Sequence, residues 1–186
     1  MKMVKEMENL ETERLILKAW TVEDAEDLYN YAKNPNVGPR GGWKPHESIE
    51  ESLEIIETLF LVRYDIWAIA DKGTGKVIGS IGFEKDFKRE GTGCMELGYA
   101  LGEDYWGKGL MTEAAKRVIQ YGFETMDLKM ISIYRNPFNF RSGRVIEKCG
   151  FTFEGILRKA NKIYNGEVRD VACYSMTKDE YIEKMM

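Results

Sequence analysis

The most informative segment of the chain is Gly102-Glu103-Asp104-Tyr105-Trp106-Gly107-Lys108-Gly109-Leu110-Met111-Thr112. It joins a predicted strand over residues 95–101 to a predicted helix over residues 109–125. Gly107 and Gly109 allow the backbone to turn sharply and to approach a ligand. Unpaired amides at a helix N-terminus, with the helix dipole behind them, form an anion site suited to a pyrophosphate. The segment therefore predicts a phosphate-binding turn, and an ordinary Gly-rich connection is the alternative.

The same segment also matches part of the P-loop pattern of nucleotide triphosphatases, G-x-x-x-x-G-K-S/T. Residues 102–108 fit the first seven positions, but the eighth is Gly109, so the hydroxyl that would hold Mg²⁺ is missing. The predicted strand over residues 129–135 ends in Arg135 and offers no acidic partner for the metal. A P-loop nucleotide triphosphatase is therefore the disfavoured alternative.

The composition of the 186 residues is that of one globular domain, residues 1–186, with 44% hydrophobic and 31% charged side chains. The longest apolar run covers only residues 66–70, whereas a membrane helix needs about 20 such residues. The first six residues carry mixed charge with no apolar stretch behind them, so we expect no secretory signal. Three cysteines (Cys94, Cys149 and Cys173) without metal-ligand spacing indicate free thiols, a cytoplasmic protein and no metal site.

The charge balance narrows the class of partner. Asp and Glu total 31 against 27 for Lys and Arg, which gives a net charge of −4. Nucleic-acid-binding domains usually show a basic stripe and this chain shows none, so we expect neither a nucleic acid nor a membrane as partner. The densest charged stretch, residues 84–90, alternates in sign and predicts a solvated loop. Any anionic ligand must therefore be held by local backbone amides and a few cations.

The remaining pattern predicts the order β-α-α-β-β-β-α-β-α-β-β, which describes one α+β domain with a mixed sheet. Capping boxes at Thr21, Ser48 and Thr177 predict the starts of three helices. The first of these helices should end before residues 34–35, because a proline follows. Asn165-Gly166 predicts a hairpin turn. The predicted strands cover residues 12–19, 64–71, 77–83, 95–101, 129–135, 151–158 and 167–176.

A third informative segment is Asn139-Phe140-Arg141-Ser142, which begins a short predicted helix over residues 139–148. Asn139 and Ser142 are three residues apart and share one helix face, so both can reach one ligand. Simple N-terminal capping is the alternative role for Asn139. Gly143 inside this helix costs about 1 kcal/mol relative to Ala, which suggests that another group passes close to it.

Four motifs in this order resemble the GNAT N-acetyltransferase family, and more narrowly its RimJ/RimL-like branch, over nearly the whole chain. They are Glu11-Thr12-Glu13-Arg14-Leu15, Glu96-Leu97-Gly98-Tyr99-Ala100-Leu101, Trp106-Gly107-Lys108-Gly109-Leu110-Met111-Thr112-Glu113-Ala114, and Asn139-Phe140-Arg141-Ser142 followed by Glu147-Lys148-Cys149-Gly150-Phe151. The resemblance implies a mostly antiparallel, twisted sheet flanked by helices, with two central strands that splay apart.

The resemblance also implies acetyl-CoA as cosubstrate, without a metal. The pantetheine arm would pair with the strand backbone at residues 99–101 and contact Asn139. The pyrophosphate would lie on the amides of residues 106–111. The cofactor-binding residues implied in this way are Tyr99, Ala100, Leu101, Trp106, Gly107, Lys108, Gly109, Leu110, Met111, Thr112, Asn139, Ser142 and Lys148.

The chain departs from the family at two places. The broad family motif reads Q/R-x-x-G-x-G/A, whereas Trp106 and Met111 occupy its first and last positions here. Backbone amides can still bind the phosphates, but a side-chain contribution from the first position is lost. Many GNAT enzymes also carry a tyrosine as general acid seven residues after the motif Asn, where this chain has Ile146. Ser142 is then the group expected near the sulfur.

The implied chemistry is direct attack of an amine on the acetyl thioester. Glu96 is the candidate base, since a partly desolvated carboxylate can have a raised pKa, and an exposed strand glutamate is the alternative. Ser142 is the candidate proton donor to the thiolate, and a backbone amide of the splayed strand can stabilise the oxyanion. Trp43 and His46 lie in a loop that borders the acceptor pocket in this family, although helix-start or packing roles suit His46 equally well.

The acceptor stays open at this stage. It is either a protein N-terminal amine, as for RimJ/RimL relatives, or a small amine such as a polyamine or an antibiotic. A non-catalytic acyl-CoA sensor is a different class of answer, kept open by the missing tyrosine. A homo-oligomer is also compatible with the sequence.

Overall fold

The computed structural model describes residues 7–63 and 65–185. Residues 1–6, where no secretory signal is expected, lie outside the described residues, as do Tyr64, the first residue of a predicted strand, and Met186. The described strands are β1 (Leu10–Glu11), β2 (Leu15–Lys18), β3 (Ile66–Asp71), β4 (Val77–Lys85), β5 (Cys94–Leu101), β6 (Met130–Arg135), β7 (Thr152–Lys162) and β8 (Val168–Thr177). The described helices are α1 (Ala25–Ala32), α2 (Gly38–Gly41), α3 (Ile49–Ile55), α4 (Leu110–Glu124), α5 (Phe140–Cys149) and α6 (Lys178–Met185).

The strands form one mixed sheet in the order β1-β2-β3-β4-β5-β6-β8-β7. Every neighbouring pair is antiparallel except β5 and β6, which are parallel. Their pairing covers only Cys94 to Glu96 on β5 and Met130 to Ser132 on β6, and beyond it the two strands diverge. The predicted α+β class, the mostly antiparallel sheet and the splayed central strands are therefore confirmed.

Two hydrophobic cores cover the two faces of the sheet. Trp67 and Ile69 of β3 belong to the core that contains α4, whereas Ile66, Ala68 and Ala70 belong to the core that contains α1. Successive side chains of a strand point to opposite faces, so the apolar run of β3 is buried on both sides. Burying one large aliphatic or aromatic side chain contributes about 1.5–3 kcal/mol, which explains why such a short run is fully apolar. Among the described helices, none has both the length and the apolar character needed to cross a membrane.

Local signals placed most helix starts correctly. The Ser48 hydroxyl accepts a hydrogen bond from the Glu51 amide (3.2 Å), and the Glu180 carboxylate accepts one from the Thr177 amide (2.8 Å). At Thr21 the chain first makes a 3₁₀ turn, Val22–Asp24, before α1 begins. The helix predicted from Ser48 is α3 followed by a π-helical turn, Ile56–Phe60. Between α1 and α3, the Gly-rich segment over residues 38–42 forms the short helix α2.

Two strands differ most from their predicted bounds. The strand predicted over residues 12–19 is shorter, as β2, and the short strand β1 precedes it. β7 runs to Lys162 instead of residue 158. Its register shifts between Leu157 and Asn161, where Lys159 has a φ of 52°. This bulge breaks the alternation of side chains, so the pattern alone ended the strand too early.

The sequence predicted that another group passes close to Gly143, and the structure contains such a group. A Cβ at Gly143 would lie 3.2 Å from the Arg135 guanidinium, which passes beneath α5. Arg135 donates hydrogen bonds to the Pro137 carbonyl (2.7 Å) and to the Tyr174 hydroxyl (2.8 Å). The close approach therefore comes from this fixed side chain of the protein.

Gly122 provides a test of the packing between α4 and the sheet. A Cβ there would lie 2.7 Å from Cζ of Phe83 and 3.2 Å from Cδ1 of Ile131. The helix propensity of Ala favours the substitution by about 1 kcal/mol, but overpacking a core costs about 1–3 kcal/mol. We expect Gly122→Ala to lower the free energy of unfolding by about 1 kcal/mol, measured by urea denaturation.

Gly73→Ala is the matched control, because the nearest atom to its added Cβ is a carboxylate oxygen of Asp71 at 3.4 Å. Its unfolding midpoint should stay close to that of the parent protein. A Gly122→Ala protein as stable as the parent would mean that Phe83 moves aside without cost.

Candidate active site

A cleft of about 1000 Å³ opens where β5 and β6 part. The Met95 carbonyl faces β6, since it accepts from the Ser132 hydroxyl at 3.4 Å. The N–H and carbonyl of successive residues alternate in direction along a strand. The carbonyl of Leu97 and the N–H and carbonyl of Tyr99 therefore face the gap. The N–H and carbonyl of Ala100 point away from the gap, toward Ser80 of β4. The Leu101 carbonyl accepts a hydrogen bond from the Trp106 indole N–H (2.8 Å).

The predicted phosphate-binding turn lies beside this gap. Gly107 and Gly109 have φ values of 75° and 80°, which an L side chain rarely adopts. Within the described part of the chain, the amides of residues 107–112 donate to no protein acceptor. The fifteen-residue helix α4 begins directly after them, so its dipole adds positive potential at the turn. Six consecutive free amides at a long helix can hold a diphosphate.

The N-terminal segment braces this turn. The Glu113 carboxylate accepts hydrogen bonds from the Thr12 hydroxyl (2.6 Å), the Arg14 amide (2.9 Å) and Nε of Arg14 (2.7 Å). Arg14 also donates from Nη1 to the Lys108 carbonyl (3.0 Å). Burial would raise the pKa of Glu113, but these hydrogen bonds outweigh it and lower the pKa. Glu113 thus stays ionised and holds the start of α4 against the connection between β1 and β2.

Cationic side chains surround the turn. The Arg141 guanidinium lies 4.8 Å from the centre of the Trp106 ring, and that of Arg40 lies 5.9 Å from it. The Lys108 ammonium lies 5.3 Å from the Tyr105 ring, and Lys148 is exposed at the edge of the cleft. Two arginine side chains therefore lie against the ring of Trp106, which occupies the motif position where the broad family has a polar or basic side chain.

Glu96 is half-buried on β5 and lines the cleft. Burial raises the pKa of Glu96 to about 7; Lys88 opposes this shift, and Glu84 on the neighbouring strand adds to it. No side chain or amide in the described residues donates a hydrogen bond to its carboxylate. A carboxylate with this pKa is a competent general base near neutral pH.

Asn139 and Ser142 lie together in the first turn of α5. The Asn139 side-chain oxygen caps the helix by accepting from the Ser142 amide at 3.3 Å. The Ser142 hydroxyl lies 2.9 Å from the hydroxyl of Tyr99, across the gap. Ile146, which replaces the tyrosine of many relatives, is fully buried in the core. The prediction used only the backbone of Tyr99, so this phenol was missed, although strand alternation already placed it on the face opposite to Glu96.

Trp43 and His46 line the cleft on the α1 side of the sheet. Nδ1 of His46 lies 2.7 Å from the Ser52 hydroxyl, and its ring lies 5.4 Å from that of Trp43. Burial lowers the pKa of His46. Gly38 leaves room for the Trp43 ring, because a Cβ there would lie 2.6 Å from it. These contacts fix both rings at the wall of the cleft.

The charged stretch over residues 84–90 is mostly exposed, as predicted for a solvated loop, but Asp86 within it is buried. Asp86 is 1% exposed and accepts hydrogen bonds from Ser132 (2.7 Å), Tyr134 (2.8 Å) and Arg89 (3.1 Å). Burial would raise its pKa, but the hydrogen bonds hold the pKa of Asp86 at about 2. The sequence did not indicate the burial of Asp86, because Ser132 and Tyr134 come from β6, far away in the sequence.

The cysteines support a structural role. All three are free, as predicted, and Cys94 and Cys173 are buried. Burial raises the pKa of Cys149 to about 11, so its thiolate is scarce at neutral pH. Cys149 therefore packs against the core.

Comparison with known proteins agrees with this geometry. The family model "Acetyltransferase (GNAT) domain" matches residues 14–152. A relative named uncharacterized N-acetyltransferase p20, from Bacillus licheniformis, is 33% identical over 179 residues, which cover 94% of this chain and 99% of the relative. The ribosomal protein uS5-alanine N-acetyltransferase of Escherichia coli (strain K12) is 26% identical over 185 residues, which cover 92% of each chain.

A solved structure of an acetyltransferase (GNAT family) from Bacillus anthracis superimposes with a TM-score of 0.82 and 26% identity. The match covers 93% of this chain and all of that one. Both the family model and the full-length relatives extend over the splayed strands and the phosphate-binding turn. The chain belongs to the GNAT acetyltransferase family.

Proposed function

We propose that the protein transfers the acetyl group of acetyl-CoA to a primary amine by direct attack, within a single N-acetyltransferase domain formed by residues 1–186. The observation that carries the proposal is the row of free amides over residues 107–112 beside the unpaired edge of β5. In this scheme the diphosphate lies on these amides, the pantetheine arm pairs with Tyr99, and the side-chain nitrogen of Asn139 contacts the arm. Arg40 and Arg141 supply positive charge beside the diphosphate. Membership of the acetyltransferase family disfavours the P-loop alternative.

The proposed base and donor approach the thioester from opposite faces of the sheet. Ala100 belongs to the core on the α1 side, and strand alternation puts Glu96 on that same side. Tyr99 and Ser142 lie on the α4 and α5 side. Glu96 would take the proton of the attacking amine, and Ser142 would donate to the departing sulfur. An amine entering past Trp43 and His46 would reach Glu96 first.

The acceptor we favour is a protein N-terminal amine, because a relative that is matched over 92% of its length is named for an alanine of ribosomal protein uS5. A small amine is the alternative within the same reaction. A non-catalytic acyl-CoA sensor is the alternative outside it, and the observation in its favour is Ile146 in place of the tyrosine acid.

Thiol release from acetyl-CoA separates these candidates when it is measured with a panel of N-terminal peptides, polyamines and aminoglycosides. Turnover with alanine-terminated peptides supports the favoured acceptor. Calorimetric binding of CoA without turnover on any acceptor supports the sensor. Failure to bind CoA at all contradicts the proposed function.

Glu113→Ala tests the brace of the phosphate-binding turn. Loss of its carboxylate frees Arg14 and leaves the Lys108 carbonyl less restrained. A turn that is less ordered in the variant must lose conformational entropy when it binds CoA. We therefore expect the Kd for CoA to rise about tenfold, measured by calorimetry.

Glu124→Ala is the matched control for this variant. Glu124 is a second carboxylate on α4, at the far end from the turn, where it contacts Gln120 and Tyr181. Its CoA affinity should equal that of the parent protein. Equal affinities for the parent and the Glu113→Ala protein would show that the turn needs no brace.

Glu96→Gln tests the general base. The parent kcat/KM should rise as the pH passes about 7, where Glu96 loses its proton, and then level off. The Gln variant should lose about 100-fold or more in rate and lose this inflection. The variant should also gain stability relative to the parent as the pH rises from about 4.5 to about 7, because over this range the folded parent retains the Glu96 proton that the unfolded chain has lost.

Glu84→Gln is the companion variant. It removes a neighbouring negative charge that raises the pKa of Glu96, so the inflection should move to lower pH while the plateau rate is kept. An unchanged rate and pH profile in the Glu96→Gln protein would rule out Glu96 as the base.

A further inference from the structure

We propose that the phenol of Tyr99 is a positioning residue for acetyl transfer, which aims the hydroxyl of Ser142 at the thioester sulfur. The inference rests on the proposed function and extends it to a side chain that the motifs place only in the backbone of β5. It also gives a reason why the chain can do without a tyrosine at position 146.

The two hydroxyls meet across the gap between β5 and α5. The Tyr99 oxygen lies 2.9 Å from the Ser142 hydroxyl oxygen and 3.4 Å from the Ser142 carbonyl. The Ser142 amide is held separately by Asn139. The backbone and the side chain of Ser142 are therefore both restrained before any substrate binds. Position 146 cannot contribute, because Ile146 is fully buried.

The direction of the hydrogen bond between the hydroxyls decides what Ser142 can do. A serine hydroxyl has a single hydrogen, and if that hydrogen went to Tyr99 none would be left for the sulfur. The phenol is the more acidic of the two groups, and the Ser142 carbonyl offers its hydrogen a second acceptor nearby. Tyr99 thus donates to Ser142, which leaves the serine hydrogen free to turn into the gap.

Burial keeps Tyr99 in the donor state. It raises the pKa of Tyr99, so the phenol stays protonated over the whole working range of pH. A hydroxyl that accepts a hydrogen bond also becomes a stronger donor itself. The hydrogen bond from Ser142 to the sulfur should therefore strengthen as negative charge develops there.

The reaction balances without a change in Tyr99. The C–N bond forms, the C–S bond breaks with its electron pair on sulfur, and the amine proton passes to Glu96. The thiolate leaves hydrogen-bonded to Ser142 and then equilibrates with water, as does the Glu96 carboxyl. Tyr99 keeps its proton throughout, which is why it positions Ser142 and takes no part in the chemistry itself.

The test compares Tyr99→Phe, Ser142→Ala and the double variant by steady-state kinetics and CoA calorimetry. Phe keeps the volume of the ring and removes only the hydroxyl. We expect the Tyr99→Phe protein to lose about tenfold in kcat, with the KM for acetyl-CoA and the Kd for CoA unchanged within twofold. The double variant should be no slower than Ser142→Ala alone, because both changes remove the same donor.

Tyr121→Phe is the matched control, since Tyr121 is a buried tyrosine of the same core and packs edge-on against Trp67. Its kcat should equal that of the parent. A Tyr99→Phe protein with full kcat, or losses that add in the double variant, would overturn the role of Tyr99 while acetyl transfer by the parent stands. A parent protein that transfers no acetyl group would overturn both proposals.

Discussion

The cleft of the candidate site exists because the parallel pairing of β5 and β6 stops after three residue pairs. β5 and β6 are hydrogen-bonded over three residue pairs and then separate, which leaves peptide groups of Leu97 and Tyr99 without a neighbouring strand. Unpaired backbone groups inside a fold are costly, so this opening persists only because both strands are held firmly on their outer sides. β4 pairs with β5 from Met95 to Leu101, and β8 pairs with β6 along the whole length of β6.

Polar contacts hold the groups around this opening in place. The buried carboxylate of Asp86 ties the β4–β5 connection to Ser132 and Tyr134 of β6, beside the position of Glu96. On the opposite face, Tyr99 joins β5 to α5. Removing one partner of a buried charged group costs several kcal/mol, so the geometry around the opening between β5 and β6 is set before a ligand enters. A preorganised site of this kind spends little free energy on its own ordering.

Features of the chain that depend on neighbours in sequence were predictable. Ser48 and Thr177 cap helices as their spacing indicates, and Gly107 and Gly109 turn the backbone as expected. Contacts between distant segments were not. The residues around Asp86 have the composition of a surface loop, and only the fold brings β6 beside Asp86. The pairing of Tyr99 with Ser142 is hidden for the same reason, since motif patterns describe the strand and the helix separately.

The bulge in β7 affects how readily two copies of the protein can pair edge to edge. Among the described strands, β7 pairs with β8 alone, and a free edge of this length invites a strand from another molecule. Lys159 interrupts the outward row of peptide groups at the bulge, and Arg158 and Lys162 add exposed positive charge on either side of it. We therefore expect the bulged part of this border to resist sheet extension between copies.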